Sequence, residues 1–159
     1  MANAMIISSE SAEVTHDAGT VLATCLHAND VIVLTGDLGA GKTQFTQGVA
    51  LGLGIIDDVV SPTFNILLSY TGGRLTLFHF DLYRLDAPEE LEDVDYYATL
   101  EAGGVTLIEW GDRFPEELPD DYLAIDITSD ASGVRTLHAS AQGSRSIEVL
   151  DTWMNRWEA

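Results

Sequence analysis

Gly36-Asp37-Leu38-Gly39-Ala40-Gly41-Lys42-Thr43 is a complete G-x-x-x-x-G-K-T run, and its Lys42 is the only lysine among the 159 residues. Residues of these types at this spacing bind phosphate. The glycines let successive backbone N–H groups curl around phosphate oxygens without interference from Cβ atoms, and the N-terminus of a following helix adds a favourable dipole. Lys42 would reach the β- and γ-phosphates of a nucleotide, and Thr43 would offer its hydroxyl to Mg2+. A glycine-rich turn with an accidental lysine would look the same over the loop alone, so the flanks decide. Val31-Ile32-Val33-Leu34-Thr35 ahead of it is a short, β-branched, apolar run that reads as a buried strand, and from Gln44 to Leu53 the residues Phe45, Val49 and Leu53 share one helical face. Strand, loop and helix stand in the order the motif requires.

A phosphate cradle does not finish phosphoryl transfer, which also needs metal placement and an oriented nucleophile. Glu109 ends the apolar run Val105-Thr106-Leu107-Ile108 and would emerge at the carboxyl edge of a sheet strand, where nucleotide sites of open α/β sheets gather. That is the place of a Walker B acid, although an exposed acid at a strand end would look alike. Asp81, in His79-Phe80-Asp81-Leu82-Tyr83-Arg84-Leu85, leaves a hydrophobic run in the same way. The two acids compete for the metal; the reading favoured here gives Mg2+ to Glu109, directly or through water, and the positioning of an attacking water to Asp81. His79 by itself reads as a packed histidine. Thr63, in Ser61-Pro62-Thr63-Phe64, could stand near a γ-phosphate like a switch threonine, or simply follow a Pro turn into a strand.

The elements that must hold these residues follow from patterning. Ile6-Ile7 begins a first strand, and Val14, Ala18, Val21, Leu22 and Cys25 line one side of a helix from about Ser11 to His27. Asp57 to Pro62 is a connection. Phe64 to Tyr70 is strand-like, Thr71-Gly72-Gly73-Arg74 is a turn, and Leu75, Leu77 and Phe80 carry the return strand of a hairpin. Pro88-Glu89-Glu90-Leu91-Glu92 has the form of an acidic first helical turn. Strands are expected at Val105–Ile108, Tyr122–Thr128 and Val134–Ser140, and Ile147, Leu150, Met154 and Trp157 mark a closing helix. In that helix Trp153 and Trp157, at i and i+4, read as core rather than as a docking pair. Helices and strands alternate early and a hairpin intervenes, which predicts an α/β fold, a P-loop NTPase-like mixed sheet flanked by helices on both faces.

Length predicts one ATPase domain over residues 1–159. No apolar run approaches a membrane span, the N-terminus lacks a basic n-region and a long h-region, and the single Cys25 excludes an internal disulfide, so a cytoplasmic protein is expected. The 26 acids against seven Lys plus Arg give a formal net charge of −19, which removes phosphate-backbone attraction over most of the surface. Strong binding of free nucleic acid is excluded on that ground, while a cleft holding Lys42 and Arg135 can still be locally positive. The Asn/Thr-Lys-x-Asp guanine signature is absent, which leaves ATP as the expected nucleotide.

Taken together, Gly36 to Thr43, Ser61-Pro62-Thr63-Phe64, His79 to Leu85 and Ile108-Glu109-Trp110 resemble the TsaE (YjeE) family of small bacterial P-loop ATPases. The four motifs are in order and cover nearly the whole chain. The resemblance implies a part in making N6-threonylcarbamoyladenosine (t6A) next to the anticodon of tRNAs that read codons beginning with A. It implies TsaD, which transfers the threonylcarbamoyl group, and its companion TsaB as partners, with tRNA met only through that complex. Carried over by position, Lys42 and Thr43 match phosphate and Mg2+ binding, Glu109 matches the Mg2+ acid, and Asp81 and Trp110 match motif positions linked to activity. The nucleotide-binding set runs through Gly36, Asp37, Leu38, Gly39, Ala40, Gly41, Lys42, Thr43 and Gln44. The adenine end falls around Ser11 to Thr15, with Ala12 and Thr15, and around Gly133 to Arg135.

Two other readings remain open from the residues alone. A small-molecule kinase shares the P-loop and size, but its six arginines are scattered and no arginine-paired lid stands out. A nucleotide-dependent binding module with incidental hydrolysis would need neither Asp81 nor Glu109 to be placed for catalysis.

Overall fold

Seven strands form one sheet in the order β1-β7-β6-β2-β5-β4-β3, and this order, rather than the chain order, is what assembles the site. The computed structural model describes residues 3–37 and 39–159. The chain runs through β1 (Ala4–Ser9), α1 (Ala12–Ala23), β2 (Val31–Gly36), α2 (Lys42–Gly52), β3 (Leu67–Tyr70) and β4 (Leu77–Asp81). It continues through α3 (Glu90–Asp93), α4 (Tyr96–Leu100), β5 (Val105–Glu109), 3-10 turns at Gly111–Arg113 and Pro115–Glu117, β6 (Tyr122–Ser129), β7 (Arg135–Gln142) and α5 (Ser144–Glu158). β6, β2, β5 and β4 are mutually parallel; β7 and β3 run antiparallel to them beside β6 and β4, and β1 pairs antiparallel with β7 at the far edge.

The apolar patterning explains the layers. Every residue of β5 is buried, as is Val31–Leu34 of β2, because these strands have neighbours on both sides and helical cover on both faces. Ile32, Leu34, Leu107, Ile125 and Leu137 pack with α1, α2 and α5, whereas Val31, Val33, Phe80 and Ile108 pack on the opposite face with Leu91 of α3 and Tyr96 of α4. β6 and β7 alternate instead, with Asp126 and His138 turned to solvent, so the second helical layer covers only the β2–β5–β4 side. Trp153 of α5 is fully buried and donates its indole N–H to Ala18 O at 3.1 Å; Trp157 packs half-buried beside the core.

α1 and α2 meet backbone to backbone. A Cβ on Gly19 would run into the carbonyl of Phe45, and one on Gly48 into the carbonyl of His16. This close approach ties α1 to the helix that carries Lys42. Among the described residues no helix is long and apolar enough to cross a membrane.

Two local expectations are corrected. The helix from Ser11 stops at Ala23 instead of reaching His27, because Thr24, Cys25 and Leu26 bond to the carbonyls of Val21, Leu22 and Ala23 in a tightened last turn. The strand expected from Phe64 begins only at Leu67. Ile66 N donates to Pro62 O at 2.7 Å with φ of 67°, a left-handed conformation that costs a β-branched residue energy and turns Phe64 outward to 84% exposure.

Candidate active site

The parallel register places the carboxyl ends of three strands in a row. Leu34 of β2 pairs with Glu109 of β5, and Glu109 pairs with Asp81 of β4, so both acids sit where the chain leaves β2 for the P-loop. Side chains at paired positions of neighbouring strands share a face, and here that face is the one under α2. Both acids are nearly buried, Asp81 at 4% and Glu109 at 5% exposure.

The loop itself is shaped by its glycines. At Gly41 φ is 109°, and an added Cβ would lie 2.9 Å from Nη1 of Arg135; at Gly36 it would lie 2.6 Å from the carbonyl of Ile127. Gly41 precedes Lys42, the first residue of α2, so the free N–H groups of that helix open toward the loop. Ala40 N bonds back to Asp37 O at 3.0 Å. Leu38 lies outside the described residues.

Two hollows flank Lys42 and Trp110. One, of about 500 Å3, is bordered by Asp37, Asp112 and Asp126, with Thr35 donating to Asp126 at 2.8 Å. Among the described residues Lys42 is the one cationic side chain that borders it. The other, of about 600 Å3, is where Gly39, Gly41, Thr43 and Gln44 face Thr63, Asp81, Glu109 and Arg135. This second cleft, with the helix N-terminus and two cationic side chains, is the one suited to a nucleotide triphosphate.

Inside it the side chains form two coupled groups. Lys42 Nζ lies 3.6 Å from Glu109 Oε1 and 5.1 Å from the centroid of the Trp110 ring, which leans on Tyr83 at 4.9 Å between centroids. Opposite, Thr63 Oγ1 donates to Asp81 Oδ2 at 3.2 Å, Ser61 Oγ stands 2.8 Å from Thr63 Oγ1, and Tyr83 N donates to Asp81 Oδ1 at 3.0 Å. Trp110 takes φ of 61°, in the left-handed region that a bulky side chain seldom enters. Strain of this kind persists where the surroundings over-determine it and clusters at functional sites.

The cleft thus brings Lys42, Thr43, Gln44, Thr63, Asp81, Glu109, Trp110 and Arg135 together. Ala40, by contrast, is buried in the core beneath the loop. Arg135 Nη1 is buried with no hydrogen-bond partner among the described residues, a donor that a bound phosphate or base could satisfy. Ala12 and Thr15 do not line the cleft: Ala12 is exposed at the start of α1, and the buried Thr15 hydroxyl is 2.7 Å from Ser9 Oγ. They adjoin it indirectly, since Ser9 of β1 pairs with Arg135 of β7.

Sequence reasoning passed over one member. His79, at 1% exposure, is not merely packed: its Nε2 lies 2.6 Å from Glu109 Oε2. The available signal was its place two residues before Asp81 on one strand, hence on the same face as the acids.

With this geometry in view, likenesses to known proteins become specific. A family model described as threonylcarbamoyl adenosine biosynthesis protein TsaE matches residues 9–137. The tRNA threonylcarbamoyladenosine biosynthesis protein TsaE of Treponema pallidum (strain Nichols) is 44% identical over 129 residues, covering 81% of this chain and 95% of that protein. Its namesake in Bacillus subtilis (strain 168) is 44% identical over 116 residues, covering 73% of this chain and 72% of that one. The crystal structure of Bacillus subtilis YdiB is similar with a TM-score of 0.82 at 33% identity, over 98% of this chain and 97% of that one. The matched span runs from the end of β1 into β7 and takes in the P-loop, both acids and Arg135, and on this ground the chain, with its P-loop NTPase-like fold, belongs to the TsaE family.

Proposed function

We propose that residues 1–159 act as one Mg2+-dependent ATPase domain in the cytoplasm, working with TsaD and TsaB in the synthesis of t6A next to the anticodon of tRNA. The observation that carries the catalytic part is the convergence of Lys42, Glu109, Asp81 and Thr63 at the carboxyl ends of β2, β5 and β4 around a cleft the size of a nucleotide. The pathway is supported by the relatives, which are tRNA threonylcarbamoyladenosine biosynthesis proteins.

The residues present fit Mg2+-ATP. The P-loop N–H groups and Lys42 take the β- and γ-phosphates, and the partnerless Arg135 Nη1 takes the α-phosphate or base end. Thr43 and Glu109 hold Mg2+, which supplies charge neutralisation on the phosphate oxygens when bound. Among the described residues no cluster of three His, Cys, Asp or Glu side chains could hold a metal, so the ion would be held together with the nucleotide. Lys42, 3.6 Å from Glu109 Oε1, is within reach of both the carboxylate and the P-loop, and its ammonium would serve the phosphates when nucleotide is bound. Asp81, oriented by the Tyr83 N–H and by Thr63, holds the attacking water in line with the γ-phosphate. Tyr83 and Trp110, packed ring against ring and partly exposed, form the outer wall of the cleft.

The test is ATP turnover by the isolated chain and with TsaD and TsaB added, with and without Mg2+. Slow basal hydrolysis, abolished by chelation and accelerated by the two proteins together, is expected. No Mg2+-dependent nucleotide binding would overturn the catalytic reading. Turnover indifferent to TsaD and TsaB would overturn the partnership, and transfer of phosphate to an added metabolite would make the protein a kinase.

A further inference from the structure

We propose that His79 is a positioning residue that acts through Glu109: its Nε2–H holds Oε2 of the carboxylate so that Oε1 alone is presented to Lys42 and the P-loop. The inference rests on the reading of Glu109 as the Mg2+ acid and adds a residue to which no role in that site has been given. Glu109 is nearly buried, and its two oxygens face different groups, Oε1 the Lys42 ammonium at 3.6 Å and Oε2 the imidazole at 2.6 Å. A carboxylate is acceptor-only, so the short contact requires the imidazole proton on Nε2. Nδ1 has no partner among the described residues, so the contact to Glu109 is the only hydrogen bond this buried ring makes.

A position needed only for packing would be filled at lower cost by an apolar side chain, because a buried imidazole with one nitrogen unsatisfied is penalised. What the imidazole supplies is direction. Strand pairing sets the Glu109 backbone opposite Asp81 and places His79 opposite Leu107, one pleat below on the same face. From there the ring reaches up to the carboxylate and removes its freedom to rotate. When Lys42 moves to phosphate, Glu109 stays aimed at the metal instead of following the ammonium, which is the part an outer hydrogen-bond partner plays for a metal-binding carboxylate.

The test uses the full chain and binding rather than turnover. A Gln side-chain amide reaches about as far as imidazole Nε2 and can donate to Glu109, whereas an Asn amide stops near Nδ1. Affinity for an ATP analogue with a non-hydrolysable β,γ-bridge is measured in EDTA and in Mg2+ for wild type, His79→Gln and His79→Asn. The Mg2+-induced gain in affinity should fall roughly 10- to 100-fold in His79→Asn and be largely kept in His79→Gln, with the EDTA affinities alike. In a Glu109→Ala background the His79→Asn change should be silent. Equal behaviour of the Asn and Gln variants, or an undiminished effect without Glu109, would overturn the proposal. A wild type with no Mg2+ gain at all would instead overturn the nucleotide-metal reading beneath it.

Wild-type protein gives a reading that survives any failure of the variants to fold. With nitrogen-labelled histidine, the His79 proton should appear on Nε2, shifted far downfield, and should move when Mg2+ and the analogue are added together but not when the analogue is added in EDTA. A proton found on Nδ1 would overturn the assignment.

Discussion

At the scale of single residues, the site is a competition for Lys42. Its ammonium rests between Glu109 and the Trp110 ring, and because Lys42 and Glu109 are themselves nearly out of water, the charge interaction between them is stronger than at the surface. A triphosphate offers more negative charge and several acceptor oxygens, and wins the ammonium. Replacing Lys42 by Ala should therefore weaken ATP binding or turnover by at least about 100-fold, comparable to removing an electrostatic clamp on a developing charge. Unchanged affinity and turnover, measured by calorimetry and phosphate release, would remove Lys42 from the site. The two acids should separate: Glu109→Gln should flatten the Mg2+ dependence of binding, while Asp81→Asn should spare binding and cut single-turnover hydrolysis. Their geometry motivates this division, since Glu109 faces the P-loop lysine and Asp81 faces Thr63. The reverse pattern would exchange the roles.

At the scale of elements, the contact between α1 and α2 decides how firmly the P-loop helix is seated. Gly48→Ala places a methyl against the His16 carbonyl, which can yield only if the helices slide apart. The gain in helix propensity is about 1 kcal/mol, whereas overpacking costs about 1–3 kcal/mol, so a net loss of up to about 2 kcal/mol is expected in urea unfolding. A variant more stable than wild type would show that the helices are not in backbone contact. The elements also show where sequence was informative. The P-loop, Glu109 and Asp81 were legible because each depends on local order: a strand, its end, and the residue there. The insertion of β6 between β2 and β7 was not, because strand order is a matter of long-range pairing that no short window contains. That pairing brings Arg135 across to Gly41, where the residues alone offer it only as a companion to Lys42 in a cleft, and sets His79 beneath Glu109, where the sequence reads it as packing. The conformations of Ile66 and Trp110 were illegible for another reason: neither residue type prefers the positive φ that tertiary structure imposes on it.

At the scale of the whole molecule, the charge distribution decides how tRNA is met. A formal charge of −19 leaves seven basic side chains, and each is engaged within the chain. Lys42 faces Glu109, Arg145 is held by Asp30 and Glu148, and Arg113 pairs with Asp86. Arg74 and Arg156 donate to the carbonyls of Ala23 and Thr24, Arg84 lies over the Phe64 ring, and Arg135 is packed on Gly41. Binding to a polyanion gains most of its non-specific affinity from releasing the counterions that several clustered cations displace. Here the one gathering of cations among the described residues, Arg74, Arg145 and Arg156 at the C-terminal end of α1, is taken up by the carbonyls of Ala23, Cys25 and Thr24 and by Asp30 and Glu148, and the excess of carboxylates over the rest of the chain repels the backbone. The isolated chain should therefore bind tRNA more weakly than the ~100 μM floor of ordinary non-specific binders at physiological salt, and lowering the salt should strengthen binding little, because few phosphates would be contacted. Fluorescence anisotropy with labelled tRNA across a salt series would measure both. Tight binding with a steep salt slope would mean that cations gather into a surface this fold does not display, and would bring tRNA into direct contact with the chain; a flat, weak response that becomes strong only when TsaD and TsaB are present would place the RNA on the partners.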